Sequence, residues 1–307
     1  MFVINPDSFL QPAYRISPFQ TEYVAFNAAL PKDDFASVYF DNRFGKDNWS
    51  YTYNGREAIH LALEQYQLQP TDLVTILTTS ENFYISSCVT KTIETFCQWN
   101  REILPETKII FVNHEFGYPH PNIEKLVATG LPIIEDCCTT FYSQDINERI
   151  GKYGDFSVYS FPKFFPIQIG GVLVKNTNQQ LPTSQMLDEA TATYIQNGMA
   201  YHLKNENQLL AKRKENFDYA STQFSKLGFS ARFSTPKNVV PSALLLNNNG
   251  IIKDLNVFKS FLNQQGIQNS VFYGEDAFFL PIHQNMKQAD FDYFIDVIRF
   301  FRTENLN

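Results

Sequence analysis

An aspartate and a lysine, Asp136 and Lys163, each close a short apolar run, 27 residues apart along the chain. The first run reads Leu131-Pro-Ile-Ile-Glu-Asp136. The second, Ser157-Val-Tyr-Ser-Phe-Pro-Lys163, leads on to Gly170-Gly171 and the strand-like Val172-Leu-Val-Lys175. Short apolar runs read as buried strands, and neighbouring strands of an open sheet deliver the residues at their ends to one edge. A carboxylate and an amine brought together there suit a pyridoxal phosphate site. The amine condenses with the cofactor aldehyde, and the carboxylate keeps the pyridine nitrogen protonated so that the ring can accept electrons. Both residue types are common, so the pair draws its weight from the motifs that precede it.

The elements that would position the pair lie between about residues 54 and 176, where helix-like and strand-like stretches alternate. That is the pattern of a mostly parallel sheet with helices on its faces. Ile59, Ala62, Leu63 and Tyr66 recur at helical spacing over 57–66, the mark of an amphipathic helix. Strands are expected at 73–78, 108–113 and 131–135, and helices at 86–99 and 122–129, the latter stopped by Gly130. After Asn176 the character changes: a long helix over 205–227 ending at Gly228, a strand at 239–246, a helix over 255–264 closed by Gly266, and a last helix over 290–302. The expected fold is therefore α/β. A mostly parallel large domain spans 51–204, a smaller α+β C-terminal lobe spans 205–307, and residues 1–50 wrap between the lobes.

Asn54-Gly55-Arg56-Glu57 stands where the first helix of the alternating region begins. Helix starts expose unpaired N–H groups at a positive dipole end and attract phosphate. Gly55 permits close backbone approach, and Arg56 adds a cation; an ordinary Asn/Gly N-cap explains the same residues. Phe83 follows the strand ending near Thr78 and could stack on a flat heterocycle, or join the core. His114, in Val112-Asn-His-Glu-Phe-Gly117, is expected to be structural or supporting. Ser160 could offer its hydroxyl to the phosphate, or bond nearby backbone, and Gly170-Gly171 could be a turn. Their order at successive strand ends carries the argument.

With 307 residues and 44% hydrophobic content the chain can bury a large core. A formal charge of −7 argues against nucleic acid, whose backbone is engaged through clustered Lys and Arg. No stretch approaches the roughly 18 apolar residues of a membrane span, and the start Met1-Phe-Val-Ile-Asn-Pro6 does not read as a signal peptide. No membrane association and a cytoplasmic location are expected. Cys88, Cys97, Cys137 and Cys138 lack zinc-ligand spacing, so no metal is expected, and Cys137-Cys138 read as small apolar side chains after a strand.

In this order the motifs resemble the DegT/DnrJ/EryC1/StrS family of fold-type-I pyridoxal-phosphate aminotransferases. Asn54-Gly55-Arg56-Glu57-Ala58-Ile59 is similar to the family's Ser-Gly-Thr-x-Ala-Leu segment, and Asn82-Phe83 to its Thr-Phe loop. Asn113-His114-Glu115-Phe116-Gly117 resembles its Val-His-x-x-Gly motif, and Glu135-Asp136-Cys137-Cys138-Thr139 its Glu-Asp-Ala-Ala-Gln stretch. Ser160-Phe161-Pro162-Lys163 through Gly170-Gly171 resembles the lysine segment, and Leu280-Pro-Ile-His283 the closing Leu-Pro-Leu-His element. The resemblance implies Lys163 and Asp136 as catalytic residues, with Gly55, Arg56, Glu57, Phe83, Thr139 and Ser160 joining them around the cofactor. It implies an amino-acid donor such as glutamate, a keto-sugar acceptor carried on a nucleotide, a polysaccharide or natural-product pathway, and a homodimer. Departures accompany it. The chain looks shortened before Asn54 and after Gly171, the family's Asn-Tyr-Arg segment has no clear counterpart, and Ser160 lies three residues from the lysine rather than five. Thr139 replaces Gln or His, and Arg56 a small hydroxyl residue. The alternative is a noncatalytic relative that keeps the fold as a binding or regulatory partner.

Overall fold

The computed structural model describes residues 12–304. These fall into two compact units, one of residues 19–206 with 237–240, the other of residues up to Pro18, 207–236 and those from 241 onward.

The first unit opens with two helices, α1 (Glu22–Ala28) and α2 (Phe35–Phe44), then β1 (Trp49–Thr52) and α3 (Gly55–Glu64). β2 (Leu73–Thr78), α4 (Ser87–Ile93), β3 (Gln98–Asn100), β4 (Thr107–Asn113), α5 (Ile123–Val127), β5 (Ile133–Asp136), β6 (Phe156–Ser160), β7 (Gly171–Lys175) and α6 (Glu189–Lys204) complete it. The strands form one sheet in the order β1-β7-β6-β5-β4-β2-β3. β2 to β6 run parallel, and β7 is antiparallel to both β6 and β1. Such a sheet is buried on both faces, which is why Val74, Ile76, Ile109, Ile110, Phe111 and Val112 are all sealed from solvent.

α3 begins where its sequence says it should. Asn54 Oδ1 accepts the Glu57 amide at 3.0 Å, and Glu57 Oε2 accepts the Tyr53 amide at 2.6 Å, a reciprocal cap that satisfies donors a helix start leaves open. Ile59, Leu61 and Leu63 then bury against the sheet, each such side chain contributing roughly 1.5–3 kcal/mol. On the other side, Phe40 of α2 packs on Trp49, Tyr51, Phe141 and Phe161. Much of the aromatic content is thus core.

Three differences from the sequence reading have local causes. The helix expected over 86–99 ends at Ile93, and Gln98–Asn100 leaves it to pair in parallel with β2; a short apolar stretch fits either period, and the open sheet edge decides. The strand expected at 239–246 is realised as β9 (Ala243–Asn247) in the second unit, because Pro241 has no N–H to enter a ladder. Finally, α1, α2 and α6 were not expected from sequence: α2 carries aromatic residues around much of its circumference and α6 mixes Thr, Asn, Gly and apolar residues, so neither shows a clean stripe.

In the second unit α7 (Glu206–Lys226) leads to β8 (Ser230–Ala231), β9, α8 (Leu255–Gln264), β10 (Ser270–Val271), β11 (Ala277–Pro281) and α9 (Gln288–Glu304). Its four strands order as β10-β11-β9-β8 and pair antiparallel. Phe224, Phe258, Phe278, Phe291, Phe294 and Ile298 fill one core between sheet and helices.

Candidate active site

Register alone places the key residues. Thr78 of β2 lies level with Asn113 of β4, Asn113 with Asp136 of β5, and Asp136 with Val158 of β6, two residues before Ser160. The carboxyl ends of four adjacent parallel strands therefore present Thr78, Asn113, Asp136 and Ser160 at one edge. A 3-10 turn over Phe161–Lys163 follows at once, carrying the exposed Lys163, whose amine has no hydrogen-bond or ion-pair partner among the described residues.

Asp136 is 4% exposed. Its Oδ2 accepts the Asn113 side-chain amide at 2.7 Å and its Oδ1 the Cys138 backbone amide at 3.0 Å, so the carboxylate is held in orientation with lone pairs to spare. Lys163 lies just past the end of β6, the strand that pairs with β5. Burial, then the Asp136 charge, push the Cys138 thiol well above its ordinary value. Burial also raises Cys88, but hydrogen bonds from Arg56 and Ser86 and the charges of Arg56 and Lys163 outweigh it, and this thiol sits below its ordinary value.

The start of α3 faces the same edge. A Cβ on Gly55 would lie 2.9 Å from both Cys138 Sγ and Ser160 Cβ, and 3.4 Å from Ser160 Oγ, so only glycine lets the helix start approach β5 and β6 this closely. The Gly55 and Arg56 amides and the Ser160 hydroxyl have no protein partner among the described residues. Three donors thus converge at a positive helix end, as a phosphate group requires. Glu57, expected from sequence among the cofactor contacts, is committed elsewhere. Its amide goes to Asn54, and its carboxylate accepts Tyr53 N–H and Ser184 Oγ–H. The Arg56 guanidinium, rather than projecting alone, bonds Cys88 Sγ at 3.0 Å.

Phe83 projects from the loop after β2 and is 64% exposed. Arg101, just past β3, lies 5.4 Å from its ring centroid and donates to Thr78 Oγ1 and Asn82 O, pinning the loop that carries the ring. Thr139 Oγ1 donates to His114 O at 2.9 Å, which ties the chain after β5 to the end of β4.

Beneath this edge Glu135 and His114 are fully buried. Glu135 Oε1 accepts the Tyr153 and Gly154 amides at 2.6 and 2.8 Å; Oε2 accepts the Gly151 amide at 2.9 Å and lies 3.1 Å from His114 Nε2. His114 Nδ1 accepts the His120 amide, which leaves the ring proton on Nε2, facing Glu135. Although His114, Glu135 and Cys137 cluster closely enough to suggest a metal site, the His114 and Glu135 ligand atoms are spent on this hub, which shapes the chain between β5 and β6, and the Cys137 thiol is hydrogen-bonded with Tyr159. Sequence reasoning did not single out Asn113, Cys88, Cys138 or Arg101 for the site. Asn113 could have been found, since its place at the end of the strand before β5 predicts a neighbour of Asp136; for Arg101 the sequence holds no signal.

Residues 95–189 match the DegT/DnrJ/EryC1/StrS aminotransferase family. GDP-perosamine synthase of Escherichia coli O157:H7 is 28% identical over 162 residues, which are 45% of this chain and 44% of that protein; the match therefore spans less than half the relative's length. Among solved structures, the aminotransferase TlmJ from Streptoalloteichus hindustanus superposes with a TM-score of 0.71 at 15% identity, covering 99% of this chain and 100% of that one. NtdA from Bacillus subtilis, with bound cofactor PMP, gives 0.66 at 15%, covering 97% and 88%. At such identities the structures speak for the fold, which is that of the type I pyridoxal-phosphate enzymes. The likeness to the DegT/DnrJ/EryC1/StrS aminotransferases in sequence is thus confined to residues 95–189, while the likeness in fold extends over nearly the whole chain.

Proposed function

We propose that the protein is a pyridoxal-phosphate-dependent sugar aminotransferase that moves an amino group from an amino-acid donor, glutamate in the simplest case, to a keto sugar carried on a nucleotide. The observations that support this reading are an oriented Asp136 at the end of β5, Lys163 in the turn after the adjacent β6, and three donors at the start of α3 with no protein partner among the described residues. When bound, the cofactor supplies an electron sink that lets a proton leave the substrate Cα. Gly55 and Arg56 amides with the Ser160 hydroxyl hold its phosphate. Asp136, held by the Asn113 side chain and the Cys138 amide, would keep the pyridine nitrogen protonated. Lys163 would be the residue that anchors the cofactor, and its amine would serve as general base and acid toward the substrate Cα proton. Phe83, with Arg101 close to its ring, would stack on the cofactor, and Thr139 would line the site. A cytoplasmic homodimer working in polysaccharide or natural-product synthesis completes the reading. Among the described residues, no helix is long and apolar enough to cross a membrane.

The test is direct. Protein incubated with pyridoxal phosphate and reduced with borohydride should retain the cofactor on the peptide containing Lys163, while Lys163→Ala should remain folded and colourless. A folded wild-type protein that takes up no cofactor would favour the noncatalytic alternative.

A further inference from the structure

At the opposite edge of the large sheet, three cations converge from three different elements. Arg43 ends α2, Lys152 sits in the connection between β5 and β6, and Lys175 ends β7. Lys175 pairs with Phe156, the first residue of β6, so this edge holds the amino ends of the parallel strands, away from Asp136 and Ser160. Together with Asn48, Thr177 and Asn178 the three cations line a depression of about 370 Å³, at the lower end of the range for small-ligand sites. None of them has a carboxylate partner among the described residues, in a chain of net charge −7.

The depression is braced. Asn176 Nδ2 donates to Gly151 O and Gly154 O at 3.0 and 2.9 Å, and reaches Ser157 Oγ, fixing the turn that bears Lys152 against the end of β7. Asn48 Nδ2 donates to Phe44 O, and Asn48 O accepts the Lys175 amide, which fixes the end of α2 to the same place. The Arg43 guanidinium lies 4.4 Å from the Phe141 ring centroid and donates to Phe141 O and Tyr39 Oη, so its charge is held rather than swinging in water. The Lys152 and Lys175 amines have no hydrogen-bond or ion-pair partner among the described residues, so they repel one another across a polar hollow, and an anion removes that cost.

We propose that the depression lined by Arg43, Lys152 and Lys175 binds a phosphate-class oxyanion, either free or as the phosphates of a small phosphorylated metabolite, at a site separate from the one formed around Lys163. Isothermal titration of the full chain, loaded with pyridoxal phosphate and held at constant ionic strength, supplies the test with pyrophosphate as probe. Saturable binding at one site per chain is expected, weakened about tenfold or more in Lys152→Gln/Lys175→Gln, as loss of two charge-assisted contacts implies. A control with the same charge change on exposed α7, Lys212→Gln/Lys214→Gln, should bind as wild type, and urea midpoints should show all three chains folded. A second titration with uridine diphosphate separates the sources. Binding tenfold or more tighter than pyrophosphate, and weakened in Lys152→Gln/Lys175→Gln, assigns the depression to a nucleotide, and binding equal to pyrophosphate assigns it to the bare anion. Absence of saturable binding, or equal weakening in both double variants, overturns the proposal.

Discussion

Glu135 and Asp136 are adjacent acids with opposite duties, and two isosteric substitutions should separate them. Glu135 accepts four hydrogen bonds in full burial. Glu135→Gln keeps the volume but offers only one oxygen, so its NH2 must face two donors: either the Tyr153 and Gly154 amides, or the Gly151 amide and His114 Nε2–H. His114 cannot relieve the clash by changing tautomer, because its Nδ1 is taken by the His120 amide. Two buried donors left unsatisfied at about 1–3 kcal/mol each give a loss of roughly 2–6 kcal/mol, a large part of the about 5–15 kcal/mol that holds a typical domain together. Asp136→Asn should behave otherwise. The new side chain can still accept the Cys138 amide, and the Asn113 amide can turn over to accept from it, so stability should change by less than about 1 kcal/mol. The pyridinium, however, would lose its counter-charge, and the half-reaction with amino donor should slow by about a hundredfold or more. Urea unfolding followed by tryptophan fluorescence suits the measurement, since Trp49 and Trp99 both lie in the first unit. Near a slope of about 3 kcal/mol per molar, the Glu135→Gln midpoint should fall by about 1 M. An unmoved midpoint in Glu135→Gln, or undiminished transamination in Asp136→Asn, would refute the division of labour.

Two further outcomes follow from the same geometry. Gly55→Ala would drive a methyl to 2.9 Å from Cys138 Sγ and Ser160 Cβ; separating α3 from β5 and β6 should cost about 1–3 kcal/mol and weaken cofactor affinity about tenfold. A fluorescence titration with unchanged affinity would count against the phosphate cradle. Acid should also unfold the chain early. Burial holds His120 and His202 down to about 4, and burial with the nearby Arg213 holds His283 down to about 3, against about 6.5 when unfolded. The unfolded chain takes up these protons first, so the stability they contribute is complete above pH 6.5 and declines toward pH 4, by about 2 kcal/mol per histidine at pH 5. A flat urea midpoint from pH 7 to 5 would contradict the burial of these rings.

How much of this was legible beforehand depended on the range of the interaction involved. β2 runs over Leu73–Thr78 and α8 over Leu255–Gln264, the spans read from periodicity and stop signals, because each is set by a local pattern. Gln98–Asn100 carries the pattern of a helix tail for the complementary reason: its strand identity comes from β2 beside it. In the same way, α2 and α6 owe their form to aromatic and mixed surfaces that bury only against a formed sheet.

By itself, the sequence determined that an acid, a lysine and a glycine-opened helix would stand at successive ends of parallel strands, because strand period and chain direction are local and a parallel sheet sends such ends to one edge. Only the tertiary structure decided which groups remain available there. It spent Glu57 on a cap and Glu135 on a buried hub, turned Asn113 and the Cys138 amide to hold Asp136, set Cys88 against the Arg56 guanidinium, and left the Gly55 and Arg56 amides, the Ser160 hydroxyl and the Lys163 amine with no protein partner among the described residues. Hydrogen-bond commitments of that kind join residues far apart in the chain, and no pattern along it records which partner wins.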